Sequence, residues 1–565
     1  MIRNLWTVHS PSTNLQRSSR CCERIALNGA TLTNMAAMTA ARPLVVAILD
    51  GWGIRDEREA NAIALARTPI LDRLTATSSC ARLEASGEAL GLAADKPGYM
   101  QAAYATIGAG RPLPQPAPMI SRLIQEQGAA SLATQPIITE LVSSVRRLGG
   151  TVHLIGMVSP SGILGHQNIF AVLAAMLSHE GVDVQIHAVT DGIDTGCQSG
   201  VDQLREFLDD ISGTENALLA TLMGRAYGFD EPCDPDLVAR AVKLLVDADG
   251  PTIDYPTAYL ADCYLKQLHD DRIPPAMMTG YRGIRADDAV LLVNLSAETA
   301  QTLMQGIAAR LKELSRGPQI LSGAYSLIAT SYADEMRLLP IFEMPPVSDT
   351  LGETLSRMGL TQLVLTESAS ASAFWLHARC GAPGLWPGET IMIADTPPLG
   401  KIEKRPDLAA ASIAAEAMNA IKAGTQNLIL LNFTNAALIG RTGNLRATIE
   451  AVEAVDKHLG KIAAQIEKRG GILIVTGSYG KAETMLVNGA KLPCRETTRA
   501  AVPFILAGAP ERPVRERGTL ADIAPTLLHL LGLRVPHAMT GQSLLTSPAK
   551  AAAHHADRPT ADANV

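Results

Sequence analysis

In an open parallel sheet, ligands bind beyond the carboxyl ends of the strands, so chemistry is sought in the residues that follow each buried strand. Leu44-Val45-Val46-Ala47-Ile48-Leu49 is a continuous apolar run that ends in Asp50-Gly51-Trp52-Gly53. A carboxylate there is either a metal ligand or a residue that caps the loop. Two more apolar runs, Asn427 to Leu431 (NLILL) and Gly471 to Val475 (GILIV), read the same way. The first is followed by Asn432, Thr434, Asn435, Ala436 and Ala437, the second by Thr476-Gly477-Ser478-Tyr479-Gly480. Neither stretch offers a carboxylate or an imidazole. The chain has no GxxxxGK(S/T) phosphate loop, no GxGxxG after a strand, no HExxH and no GxSxG elbow. Ile107-Gly108-Ala109-Gly110-Arg111 is glycine-rich. Such a piece either approaches an anion through its backbone N–H groups or forms a tight turn.

The elements that must position these residues are legible from periodicity. Leu445, Ile449, Val452, Val455, Leu459, Ile462 and Ile466 recur every three or four residues and form one apolar stripe of a helix. Asn444 can cap its start and Gly470-Gly471 can stop it. Strand, helix and strand in that order make a βαβ unit and therefore a parallel sheet. Strand-like runs at Val152 to Met157, Val184 to Val189 and Val290 to Asn294 alternate with helical patterns and form a second α/β unit. Two proline-rich stretches, Leu113 to Pro118 and Leu339 to Pro346, read as linkers around it. The expected architecture is one α/β domain inserted into another.

Bulk properties set the outer bounds. At 565 residues the chain exceeds one ordinary core. Its 47% apolar and 19% charged residues suit a globular protein. A net charge of -7 argues against a nucleic-acid partner, which needs clustered Lys and Arg. No stretch approaches the ~18 uninterrupted apolar residues of a membrane span. Eight scattered cysteines without a CxxC pair point to a reduced, cytoplasmic setting. Residues 1–37 carry Arg3, Arg17, Arg20 and Arg24 against the single acid Glu23. That composition fits either a transit peptide or a start codon assigned upstream of Met35 and Met38. The tail from Ser547, with its His554-His555 pair, has no periodicity and is expected to be disordered.

Several local strings are diagnostic together. LDGWG at Leu49 to Gly53, EASGEALGL at Glu84 to Leu92, IGAGR at Ile107 to Arg111, HLIGMVS at His153 to Ser159 and HAVTDGIDT at His187 to Thr195 are five of them. GRAYGFD at Gly224 to Asp230, AVEAVDKHLG at Ala451 to Gly460, VPFILAG at Val502 to Gly508 and ADIAPTLLHLLGL at Ala521 to Leu533 follow in order. The chain resembles the cofactor-independent phosphoglycerate mutases over about residues 43–546. The resemblance implies an alkaline phosphatase-like parallel-sheet domain over 43–114 and 343–546. It implies a phosphoglycerate-binding-type α/β domain inserted over 115–342, with an extension at 1–42 and a tail at 547–565. The family interconverts 2-phosphoglycerate and 3-phosphoglycerate in glycolysis, using a serine nucleophile and two manganese ions.

Residue by residue, most of that machinery is replaced. The first-strand metal aspartate matches Asp50. The serine of the GNSEVGH-like string falls at Met100, which has no atom to attack phosphorus. The aspartate and histidine of the NPDxxGHTG string fall at Ala437 and Arg441. The Asp-His pair of the ADHGN string falls at Ser478 and Tyr479, and the last metal histidine at Glu496 or Thr497. On the substrate side, His166, Asp194 and Arg225 match family positions. Others fall at Leu164, Ile193, Glu231, Ser296, Thr299 and Ser368.

The resulting expectation is a mutase homologue that has lost phosphoryl transfer, holds no metal cofactor, and serves a binding or structural role. His166, Asp194 and Arg225 would then form at most a weak site for a small anionic metabolite. The alternative is an active mutase with a rearranged site, for which Ser478 and Tyr479 are the nearby hydroxyls. A buried Asp50 without its metal needs a partner. The hypothesis is that Arg441 supplies it; the alternatives are Lys481 as the partner, or an Arg441 that points outward into solvent.

Overall fold

The computed structural model describes residues 42–546 apart from 231–232, 297–298, 315–322, 330–337, 383, 398 and 488–491. The expectations for residues 1–37 and for the tail lie outside the described residues. Strands are numbered along the chain: β1 Leu44–Gly51, β2 Ser79–Glu84, β3 Val152–Val158, β4 Val184–Thr190, β5 Ala217–Gly224, β6 Thr252–Ile253, β7 Ala276–Met278 and β8 Ala289–Val293. They continue as β9 Gly323–Ile328, β10 Leu338–Phe342, β11 Gln362–Glu367, β12 Glu389–Ala394, β13 Leu428–Phe433, β14 Ile472–Gly480, β15 Val502–Ala507 and β16 Arg517–Thr519.

Two eight-stranded sheets result, in the orders β12-β11-β13-β1-β14-β15-β2-β16 and β10-β9-β8-β3-β4-β5-β7-β6. In the first, β12, β11, β13, β1 and β14 run parallel, and β15 is antiparallel to both its neighbours. In the second, the pairings are parallel except that of β5 with β7. β1 lies between β13 and β14, with Leu44 opposite both Leu428 and Ile472.

The continuous apolar run of β1 is explained by burial on both faces. Val45, Ala47 and Leu49 pack with the Val452, Val455, Leu459 and Ile462 stripe of the long helix, and Val46 and Ile48 face Tyr104 and Ile107 on the other side. Each of these Val, Leu and Ile side chains contributes about 1.5–3 kcal/mol on burial.

The helices that concern the site are α1 Met100–Ala109, α2 Pro116–Gln127, α3 Gln167–His179, α4 Ala371–Ala378, α5 Asn435–Gly440 and α6 Leu445–Lys468. The Asn444 side chain accepts from Ala447 N and caps α6, as its sequence suggests. The glycine-rich piece is the end of α1, closed by Gly110 in the left-handed region. Gly108 lets α1 meet α4, because a Cβ there would lie 1.9 Å from the Ala378 carbonyl oxygen. The proline-rich stretches are not wholly linker. Pro116 opens α2, where a fixed φ and a missing N–H cost nothing. Pro340 sits in β10, at a sheet edge where a donor is dispensable.

Candidate active-site cleft

The parallel strands of the first sheet bring Asp50 (β1), Glu367 (β11), Asn432 (β13) and Ser478 (β14) to one end. Asp50 is fully buried there, and three neutral groups surround it. The Tyr104 hydroxyl lies 2.6 Å from both carboxylate oxygens and shares its one proton between them. Ser478 Oγ donates to Oδ1 at 2.5 Å, and Asn432 Nδ2 donates to Oδ2 at 3.0 Å. A carboxylate has about four lone-pair sites in its plane, and these three donors take most of them. Burial pushes the Asp50 carboxyl up to about 6 despite these donors, with Glu367 adding a smaller repulsion. Glu367 is itself buried, raised by that burial, and accepts from Thr434 and from Thr396 Oγ1.

The pairing expected between Arg441 and Asp50 does not form. Arg441 follows the last residue of α5, and its guanidinium lies 3.7 Å from Asp230 on the side of the second sheet, with the side chain 31% exposed. Three neutral donors already stand around the carboxylate where a guanidinium would sit. Lys481 is not the partner either: its Nζ donates to the Cys494 carbonyl oxygen at 2.9 Å.

This end of the sheet does not suit a pair of dications. Met100 is the first residue of α1 and lines the cleft. Ala437 packs against β1 so closely that a Cβ on Gly51 would lie 2.8 Å from the Ala437 Cα. Ser478 and Tyr479 contribute hydroxyls, the first turned into Asp50. Among the described residues no group of three or more His, Cys, Asp and Glu side chains could hold a metal ion. Hard cations take several oxygen ligands, and the donor set here is dominated by hydrogen-bond donors and methyl groups.

Across the cleft, the second sheet presents Asp191, Asp194 and Arg225 just beyond β4 and β5. Arg225 is buried and bonded to three carboxylates: Asp191 at 2.6 Å, Asp194 at 2.7 Å and Asp230 at 2.8 Å. Burial alone would raise Asp191, but Arg225, backbone N–H groups and Ser159 bring it below the usual carboxylate range. Asp194 stays above that range because of burial and Asp191. An anionic ligand would compete with three carboxylates for this guanidinium. Of the other carried-over residue, His166, the ring Nδ1 accepts from Asn168 N and caps α3, and burial lowers its basicity. The structure thus brings Asp194 and Arg225 together and gives His166 a capping contact.

Between the two sides lies a cavity of about 90 Å3, lined among others by Tyr99, Met100, Asp194, Arg225, Asp230, Arg441, Tyr479, Lys481, Arg495 and Thr497. Lys481 is fully buried, and that burial brings its ammonium down to about 8. Arg495 donates to Asp271 at 2.7 Å and so bridges the two sides. Tyr104, Asn432, Arg495 and Thr497 are the site residues that the sequence does not single out for these roles. Tyr104 had one signal, its place one helical turn after Met100.

The metalloenzyme superfamily model matches residues 42–535. The 2,3-bisphosphoglycerate-independent phosphoglycerate mutase of Gluconobacter oxydans is 34% identical over 519 residues, covering 91% of this chain and all of that protein. That of Rhodopseudomonas palustris is 34% identical over 513 residues, covering 90% of this chain and all of its own length. Among solved structures, Leishmania mexicana phosphoglycerate mutase at low cobalt concentration superposes with a TM-score of 0.81 at 23% identity, covering 90% of this chain and 98% of that one.

Proposed function

Because this chain belongs to the 2,3-bisphosphoglycerate-independent phosphoglycerate mutase family of the metalloenzyme superfamily, we propose that it is a member that has lost phosphoryl transfer and retains the fold for binding. The observation that carries this reading is the donor shell of Asp50. Tyr104, Ser478 and Asn432 turn O–H and N–H groups toward the carboxylate where a dication would need its lone pairs. Removal of the nucleophile points the same way. The Met100 thioether cannot take a phosphoryl group and return it. A transferring phosphoryl group needs cations around its oxygens, and Arg225 is already bonded to three carboxylates.

In this reading the chain is soluble and works without a metal cofactor, with a small anion as its ligand rather than its substrate. Conversion of 3-phosphoglycerate to 2-phosphoglycerate, followed by phosphorus NMR with manganese or cobalt added, tests it. No conversion above a heat-treated control is expected. Turnover that disappears in Asp50→Ala would overturn it. A rearranged active site built on Ser478 is disfavoured because that hydroxyl is buried and donates to Asp50.

A further inference from the structure

Lys481 has no role in holding Asp50, and no lysine is expected at its position from the family strings. It extends from the residue after β14 into the cleft cavity, and its ammonium has no carboxylate within ion-pair distance among the described residues. Its hydrogen bond goes to a neutral acceptor, the Cys494 carbonyl at 2.9 Å. The segment that carries this carbonyl is tied back to the strand end, because Thr498 N donates to the Gly480 oxygen at 2.9 Å. Two further donors of the same segment line the cavity, Arg495 Nε and Thr497 Oγ1. Both are buried without a hydrogen-bond partner among the described residues. A buried donor left unpaired costs free energy, so such groups mark a place where a ligand or water belongs.

The charges decide which ligand. Of the lining groups, Asp194 and Asp230 are both engaged by Arg225, while Arg441 is only 3.7 Å from Asp230 and Arg495 keeps Nε unpaired. Outside the lining, Asp271 is bonded to Arg495, Asp191 to Arg225, and Glu483 accepts from Lys481 N and from Thr498, while Glu496 is raised by burial and by Asp191 and Asp194. The cavity therefore offers donors in excess of acceptors, and a volume of about 90 Å3 admits a molecule of a few heavy atoms. A carboxylate is the group that accepts from Arg495 Nε and Thr497 Oγ1, and a carbonyl next to it suits the amine that lines the same cavity.

We propose that this cavity is a covalent site for a small 2-oxo acid, with the carboxylate held by Arg495 and Thr497 and the carbonyl carbon bonded to Lys481 Nζ. The proposal rests on the reading that the cleft no longer transfers phosphoryl groups. The Nζ lone pair adds to the carbonyl carbon. The carbonyl oxygen takes the two amine protons and leaves as water, and a C=N bond remains. Burial favours the neutral amine needed for the addition.

The test incubates the full-length protein with glyoxylate or pyruvate and sodium cyanoborohydride near pH 8. The reagent delivers hydride to the imine carbon and fixes the adduct as a secondary amine. Peptide mapping by mass spectrometry is expected to find carboxymethyl or carboxyethyl lysine concentrated at Lys481, and acetone, which lacks the carboxylate, is expected to label it about tenfold less. Thr497→Val, a nearly isosteric change, should slow labelling by about tenfold while surface lysines are unaffected. Lys481→Met should abolish the major adduct. Labelling spread evenly over surface lysines, or unchanged selectivity in Thr497→Val, would overturn the site. Phosphoglycerate turnover on the same preparation is read separately. Turnover would count against loss of catalysis, whereas absent labelling without turnover would sink the imine site alone.

Discussion

Asp50→Asn should make the protein more stable at pH 8. In a working two-metal enzyme, loss of a ligand carboxylate removes metal affinity, so the same change would be harmful there. Here the carboxyl is buried among neutral donors and rises from an ordinary 3.8 to about 6. Between those values the folded state holds a proton that the unfolded chain has released. Stability contributed by Asp50 therefore falls as pH climbs through this window, and above about 6 the full penalty is present. The rise corresponds to a deficit of about 3 kcal/mol at pH 8 and about 1.5 kcal/mol at pH 5. Asparagine carries no charge to desolvate. Its oxygen still accepts from Tyr104 or Asn432, and its amide can donate to Ser478 Oγ once that hydroxyl rotates. The gain is thus some fraction of about 3 kcal/mol, larger at pH 8 than at pH 5. Thermal melts of wild type and variant, without added metal, measure it. A lower midpoint for Asp50→Asn at pH 8, or a difference that does not grow with pH, would refute the reasoning.

Other consequences follow from the same contacts. His187 is held well below its ordinary 6.5 by burial and by His153, while Thr221, Asp288 and Tyr281 enclose the pair. The folded state thus refuses a proton that the unfolded chain accepts, and stability falls as pH drops below about 6.5; melts should show a shallower acid loss in His187→Gln. Arg225→Met leaves Asp191, Asp194 and Asp230 facing one another and should cost roughly 3–5 kcal/mol or more in urea unfolding. Adding Asp194→Asn to that variant should recover part of the loss, whereas strict additivity would mean the cluster is not coupled. Met100→Ser should give no phosphoglycerate turnover with manganese present, since a hydroxyl alone does not rebuild the ligand set; measurable turnover would contradict the account.

Elements whose buried face is written in one segment were legible in the sequence. The α6 stripe, its Asn444 cap and the apolar runs of β1, β13 and β14 needed only periodicity, because each packs against its neighbours through local pattern. Met100 and Ala437 were singled out by matching strings, and both line the cleft. The partner of Asp50 was not. Arginine at position 441 offered a charge of the right sign, but α5 ends one residue before it and aims it across the cleft at Asp230. The partners lie 54, 382 and 428 residues from Asp50 in the chain, and they meet it only once sheet order and helix α1 are set. The role of Arg495 was hidden for the same reason, since its partner Asp271 lies 224 residues away on the other side of the cleft.

The central claim is that the Asp50 carboxylate is satisfied by the protein's own donors and holds no dication. Manganese bound per chain after equilibrium dialysis tests it most directly, with wild type and Asp50→Ala measured side by side. The same negligible content is expected in both. Two equivalents in wild type that vanish in Asp50→Ala would contradict it.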